Sequence, residues 1–163
     1  KKSRPKRVLA AILARAITDS IRATEKDAKI ILMGDFNDDP VSASIKDFIK
    51  AERDVENLNQ DNFYNCMFEK YKKGIGSLAY RDNWNLFDQF IITPSLTTTN
   101  SDYKSFKYFS STVYNKSFLK NKEGNFAGYP FRTYVGSTFM GGYSDHFPVY
   151  IYLVREKIKW IKN

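Results

Sequence analysis

Residues 30–38 read Ile30-Ile31-Leu32-Met33-Gly34-Asp35-Phe36-Asn37-Asp38. The brevity of the aliphatic run and its β-branched start predict a strand buried on both faces and stopped at Gly34. Upstream, Ser3-Arg4-Pro5 opens a helical pattern in which Val8, Leu9, Ile12, Leu13, Ala16, Ile17 and Ile21 share one face, with charges opposite. A helix beside a buried strand predicts α/β layering. Downstream, Asp39 as N-cap, Pro40 at the first helical position and a stripe of Val41, Ile45, Phe48 and Ile49 predict a second helix.

Further along, Phe63, Met67, Phe68 and Tyr71 suggest a short helix closed by Gly74. Ser77 to Trp84 and Phe90 to Thr93 read as strands, the second stopped by Pro94. Tyr103 to Tyr114 alternates only in part and reads as a strand or an ordered excursion. Asn121 to Gly128 reads as a loop, and Phe147 to Val154 as a closing strand with a surface tail after it. No repeat or linker divides the chain, so residues 1–163 read as one domain or a portion of one.

The chain has 163 residues, of which 42% are hydrophobic and 16% aromatic, enough to fill a core and to exclude a disordered or fibrous class. One cysteine, Cys66, excludes an internal disulfide framework and a multi-cysteine zinc site. No apolar run approaches the length of a membrane span. A net charge of +8 draws the chain toward polyanions such as nucleic acid or anionic headgroups, although surplus lysines also simply solvate a surface. The opening cluster Lys1, Lys2, Arg4, Lys6 and Arg7, with no initiator Met, reads as a cut within a larger protein.

Three polar clusters lie at ends of predicted strands, where α/β folds carry their sites. Asp35 and Asn37, two residues apart in extended backbone, would point the same way and could hold a water, a metal or a phosphate oxygen; a turn and N-cap cluster is the plain alternative. His146, the one histidine, follows Asp145 in the glycine-rich stretch Gly141-Gly142-Tyr143-Ser144-Asp145-His146-Phe147-Pro148-Val149. Imidazole suits proton transfer near neutral pH, although a lone histidine is more often structural. Asp88 breaks the apolar stretch Phe87-Asp88-Gln89-Phe90-Ile91-Ile92 and needs a partner, either His146 or one of the many lysines and arginines.

Together the clusters resemble the endonuclease/exonuclease/phosphatase superfamily. Its GDFN motif is matched by Gly34 to Asn37, its mid-chain aspartate before an apolar strand by Asp88, and its SDHxPV motif by Ser144 to Val149. The resemblance implies a four-layer α/β sandwich whose N-terminal half, with its metal-binding glutamate, is missing from this chain. None of Glu25, Glu52, Glu56, Glu69, Glu123 and Glu156 sits in a strand-end context that fits that ligand.

The resemblance also implies a mechanism for phosphate-ester hydrolysis, which needs an in-line water, charge neutralisation and help for the leaving oxygen. Asp35 would activate the water, Asn37 would bind it or a phosphate oxygen, and His146, held by Asp88, would stabilise the developing charge. Asp145, Asp35 and Asn37 would serve a Mg²⁺ or Mn²⁺ ion, because hard oxygen donors suit those ions. Tyr80, Arg81 and Trp84 ahead of Asp88, with Arg132 and Tyr134 ahead of the SDH turn, would form an aromatic and cationic lip for bases and phosphates, or pack as core.

Three functions remain open at this point. One is a metal-dependent phosphodiesterase acting on nucleic acid. Another is a phosphatase or phospholipase C-type enzyme acting on sugar, inositol or lipid-headgroup phosphates, with Tyr103 to Tyr114 as the candidate membrane loop. The last is a non-catalytic binding module, which the joint presence of Asp35, Asn37, Asp88, Asp145 and His146 disfavours.

Overall fold

The computed structural model describes residues 3–97 and 103–157. Lys1, Lys2 and the tail from Ile158, expected at the surface, lie outside them. The chain opens with α1 (Arg4–Thr24) and continues through β1 (Ile31–Asp35), β2 (Ala51–Glu52), β3 (Phe63–Asn65), α2 (Phe68–Lys72), β4 (Leu78–Tyr80) and β5 (Asn83–Asn85). After these come β6 (Asp88–Ile92), β7 (Lys107–Val113), β8 (Tyr134–Val135), β9 (Thr138–Phe139) and β10 (Val149–Val154). The result is a mixed α/β fold with separate sheets.

The main sheet runs in the order β1-β6-β3-β2, with β6 antiparallel to both β1 and β3. Side chains alternate across β6 because a strand has a two-residue period. Phe90 and Ile92 enter one core with Met67, Leu86, Leu96, Val113 and Phe147, and Ile151 and Leu153 of β10 pack against it. That core sits between the main sheet and the antiparallel β7–β10 ribbon. Ile91 faces the other way, into a smaller core with Ala11 of α1, Ile45, Ile49, Ala51 and Phe63.

The helix is where the sequence predicts it, but it seats the sheet with its less apolar side. Ala11, Thr18 and Arg22 are buried, whereas Leu9, Leu13, Ile17 and Ile21 stand 42–65% exposed. Small Ala11 allows close approach, and the Arg15 and Arg22 guanidinium groups lie 5.3 and 5.2 Å from the Phe63 ring centroid, within cation–π range. The apolar stripe of α1 therefore has no cover among the described residues.

Several expectations are corrected. Among the described residues β1 is an edge strand rather than a strand buried on both faces, since only β6 pairs with it there, and Met33 is 69% exposed. No α-helix starts at Asp39: its Oδ1 accepts the Leu86 N–H at 2.7 Å, and only Ser44–Ile49 winds, as a π-helical turn. The helix expected from Phe63 is a strand, β3, followed by one short helix, α2. Ser77 to Trp84 is not one strand but part of the β4–β5 hairpin, whose turn residues Arg81 and Asp82 both have positive φ, the conformation that matches strand twist. Of the two readings of Tyr103 to Tyr114 the strand holds: β7 occupies Lys107–Val113 and pairs with β10.

Candidate functional site

The antiparallel register of β1 and β6 sets Asp35 directly opposite Asp88. Opposed residues in such a pair project on the same face, and two carboxylates there repel unless a cation intervenes. Asp88 shares the face of Phe90 and Ile92, toward the turn that leads into β10. From that turn His146 places Nδ1 2.7 Å from Asp88 Oδ2. Phe147, the next residue, is buried in the core and its N–H bonds the Ser77 carbonyl at 2.7 Å, which locks the imidazole's position. With Nδ1 turned to Asp88, Nε2 is the nitrogen left for chemistry.

Electrostatics couple the three groups. The hydrogen bond that His146 donates to Asp88 raises the pKa of His146; burial opposes this, and the negative charges of Asp88, Asp35 and Asp145 reinforce it. For Asp88, burial pushes the pKa up, but hydrogen bonds from His146 and Ser77 and the charge of His146 outweigh it, leaving a net lowering. The sign follows by linkage. The contribution of His146 to stability is complete below its ordinary value of 6.5 and is lost as pH rises through the elevated folded value. That of Asp88 is complete above its ordinary 3.8 and is lost as pH falls through the depressed one. The pair is therefore strongest between those two ordinary values.

Asp88→Asn is expected to lower the pKa of His146, because the partner's charge goes while burial stays. As the chain has a single histidine, its ring-proton NMR titration reads this directly. A midpoint unmoved by Asp88→Asn would refute the coupling.

The loop after β1 is tied down by groups the sequence reading passed over. Arg7 Nε of α1 lies 2.7 Å from Asp38 Oδ2, Ser44 Oγ donates to the same oxygen at 2.6 Å, and buried Gln89 donates to the Asp38 carbonyl at 2.6 Å. Gln89 is legible in hindsight as a polar residue at a core-facing position of an apolar strand. The extended geometry expected of Asp35 and Asn37 stops at Asp35: Asn37 has φ 51°, and its N–H bonds Asp35 Oδ1 at 2.8 Å in an Asx turn. Gly34 suits this corner because its φ of +139° is a region L-residues avoid.

The SDH turn hangs from the segment before β8. The Phe131 carbonyl accepts the Tyr143 and Ser144 N–H groups at 2.7 and 3.3 Å, and Ser144 Oγ accepts the His146 N–H at 3.1 Å. Arg132 Nη2 stands 4.0 Å from Asp145 Oδ2, a solvent-exposed pair of little energetic weight that nevertheless puts a guanidinium beside the turn. Tyr80 and Arg81 pack together, guanidinium over ring at 5.3 Å, and with Arg132 they line one cavity. Trp84 does not join them. It stacks on Phe147 with ring centroids 6.0 Å apart, and Tyr134 packs on Phe139 in the exposed β8–β9 hairpin.

A Mg²⁺ ion demands near-octahedral oxygen coordination. Among the described residues no three His, Cys, Asp or Glu side chains are arranged to hold a metal ion, so they do not make such a site by themselves. Cys66 offers no alternative chemistry, since burial pushes its thiol up to about 12.

The strand-end carboxylates, the Asp88–His146 pair and the SDH turn thus lie together at one end of the main sheet. The sequence matches the Endonuclease/Exonuclease/phosphatase family over residues 1–155. The chain belongs to this family. Endonuclease/exonuclease/phosphatase members are hydrolases of phosphate esters, which places the chain in that broad chemistry. No curated protein and no solved structure matches it. No helix among the described residues is long and apolar enough to cross a membrane.

Proposed function

We propose that the chain contributes the catalytic Asp-His half of a divalent-metal-dependent phosphodiesterase acting on nucleic acid. The observation that carries the reading is the 2.7 Å Asp88–His146 contact with Asp35 in register beside it. Asp35 is the base that takes the proton of the attacking water. Asn37 orients that water or a non-bridging oxygen. His146, whose pKa Asp88 raises, donates from Nε2 to the phosphate oxygen on which charge grows.

The uncovered stripe on α1 and the open edge of β1 support a second half of the domain packing there, completing the four-layer sandwich. On this proposal that half would also supply a carboxylate, which with Asp35, Asn37 and Asp145 would hold Mg²⁺ or Mn²⁺. The test compares this 163-residue chain with a longer polypeptide carrying that half, on bis-p-nitrophenyl phosphate and plasmid DNA, with Mg²⁺, Mn²⁺ or EDTA. Turnover by the longer protein only, abolished by EDTA, is the expected result. Release of phosphate from monoesters with no action on diesters would replace the reading.

A phospholipase reading draws on one feature. From Thr133 to Ser144 the chain carries no charge, and Tyr134, Val135, Phe139 and Met140 of the hairpin region are 44–65% exposed. This segment, rather than Tyr103 to Tyr114, is the loop that would meet a lipid surface.

A further inference from the structure

A cavity of about 360 Å³ opens between the β4–β5 turn, the 121–132 segment and the β8–β9 hairpin, within the size range of small-molecule sites. Its walls are largely ring faces and apolar groups, from Tyr80, Phe126, Tyr129 and Phe131, with Val135 and Met140 closing the hairpin side. Its polar side chains are Arg81, Arg132 and Asn121, together with the hydroxyl-bearing Tyr80 and Tyr129. Asn121 Nδ2 is committed to the Pro130 carbonyl at 3.1 Å, which fixes the amide's orientation.

The cavity is built rather than accidental. Tyr129 donates its hydroxyl to Asp82 Oδ1 at 2.5 Å and accepts the Asp82 N–H at 2.8 Å, tying the 121–130 segment to the β4–β5 turn. It is also continuous with the candidate site. Phe126, Tyr129, Trp84 and Phe147 form a chain of ring contacts 5.7–6.0 Å apart that ends at the residue after His146. Arg132 belongs to both places, lining the cavity while standing 4.0 Å from Asp145.

We infer that this cavity receives a single unpaired nucleobase of the substrate strand, with Arg132 between base and scissile phosphate. The inference rests on the phosphodiesterase reading above. Aromatic walls and guanidinium planes stack on the π-face that every base offers, and a carboxamide can bond a base edge. An acyl chain would set two charged guanidinium groups against methylenes, which carries a desolvation cost that a base or phosphate does not impose. A base inside a duplex is stacked on both faces and paired on its edge, so only a single-stranded or extruded nucleotide can enter. The enzyme is therefore one of single strands, ends or unpaired sites.

The test uses the longer polypeptide of the proposed function, carrying His146→Gln to stop turnover, and single-stranded oligodeoxynucleotides with one 2-aminopurine. Binding is expected to quench the 2-aminopurine and to be about 10-fold or more tighter than to the same strand made abasic at that position or to its duplex, the effect of one lost stack. Val135→Trp, which fills the cavity from an exposed position, and Phe126→Ala, which strips one wall, are each expected to erase most of that difference. Both sites are more than half exposed, and unchanged thermal midpoints would verify folding. Equal affinity for abasic and duplex strands, or quenching untouched by both variants, would overturn the cavity assignment while leaving the phosphodiesterase reading intact. If the protein carrying wild-type His146 cleaves no oligonucleotide and instead binds anionic vesicles through the hairpin, both inferences fall.

Discussion

His146→Gln is expected to lower phosphodiester turnover by about 10²–10⁴-fold, the usual range for losing a positioned proton donor. Glutamine can still hydrogen-bond Asp88 from a similar position, so the carboxylate buried beside it keeps a partner. What it cannot do is carry and release a proton. The Asp88–His146 contact is only partly buried, with 18% and 22% of the two side chains accessible, and solvent screens its charge. The thermal midpoint should therefore move little. Rates on bis-p-nitrophenyl phosphate with the longer polypeptide of the proposed function, beside a melting curve, decide the matter. A variant that stays active but melts several degrees lower would make His146 a structural residue and remove the basis of the mechanism.

Gly142→Ala is the substitution expected to damage the fold and the site together. A Cβ at Gly142 would lie inside the carbonyl oxygens of both Phe131 and Arg132 and against the Phe131 carbonyl carbon, all of them backbone. No rotamer change can relieve such a contact, so the segment before β8 and the SDH turn must separate. The hydrogen bonds from Tyr143 and Ser144 to Phe131 would then stretch, and His146 and Arg132 would move apart. Overpacking of this kind costs about 1–3 kcal/mol or more.

Gly141→Ala is the control. Gly141 has φ +74°, so alanine there is strained, but its Cβ would approach only a Phe139 ring carbon at 4.0 Å. Urea unfolding of the two variants should rank Gly142→Ala clearly below Gly141→Ala, with activity falling in the same order. Equal midpoints would show that the two backbones are not packed as tightly as described.

Parts of this outcome were readable in the chain because they rest on local chemistry. The period of Leu9, Leu13, Ile17 and Ile21 makes a helix wherever it lies, and Phe87-Asp88-Gln89-Phe90-Ile91-Ile92 contains a real strand with a carboxylate at its start. The three motifs were sufficient for the family, because Asp35, Asp88 and the SDH turn sit at strand ends in an order that a backbone can bring together. Other expectations failed where a long-range partner outbid a local preference. Asp39 is a good N-cap by type, yet its carboxylate bonds Leu86, 47 residues away, and no α-helix begins there.

The sequence by itself determined the α1 helix, the apolar strand around Ile91, the family and the residues on which a phosphate-ester chemistry is proposed. The elements follow from side-chain periodicity, and the family and candidate residues from the resemblance carried by three short motifs, each written within a few residues of the chain. Only the tertiary structure decided that the Asp88 carboxylate pairs with His146 rather than with a lysine or arginine, that α1 turns its apolar stripe away from the sheet, and that Tyr80, Arg81 and Arg132 meet around one cavity. Each of these depends on strand register and on segments tens of residues apart. Their contacts arise from packing, where the free energy of a whole arrangement selects among partners that local preference leaves equivalent.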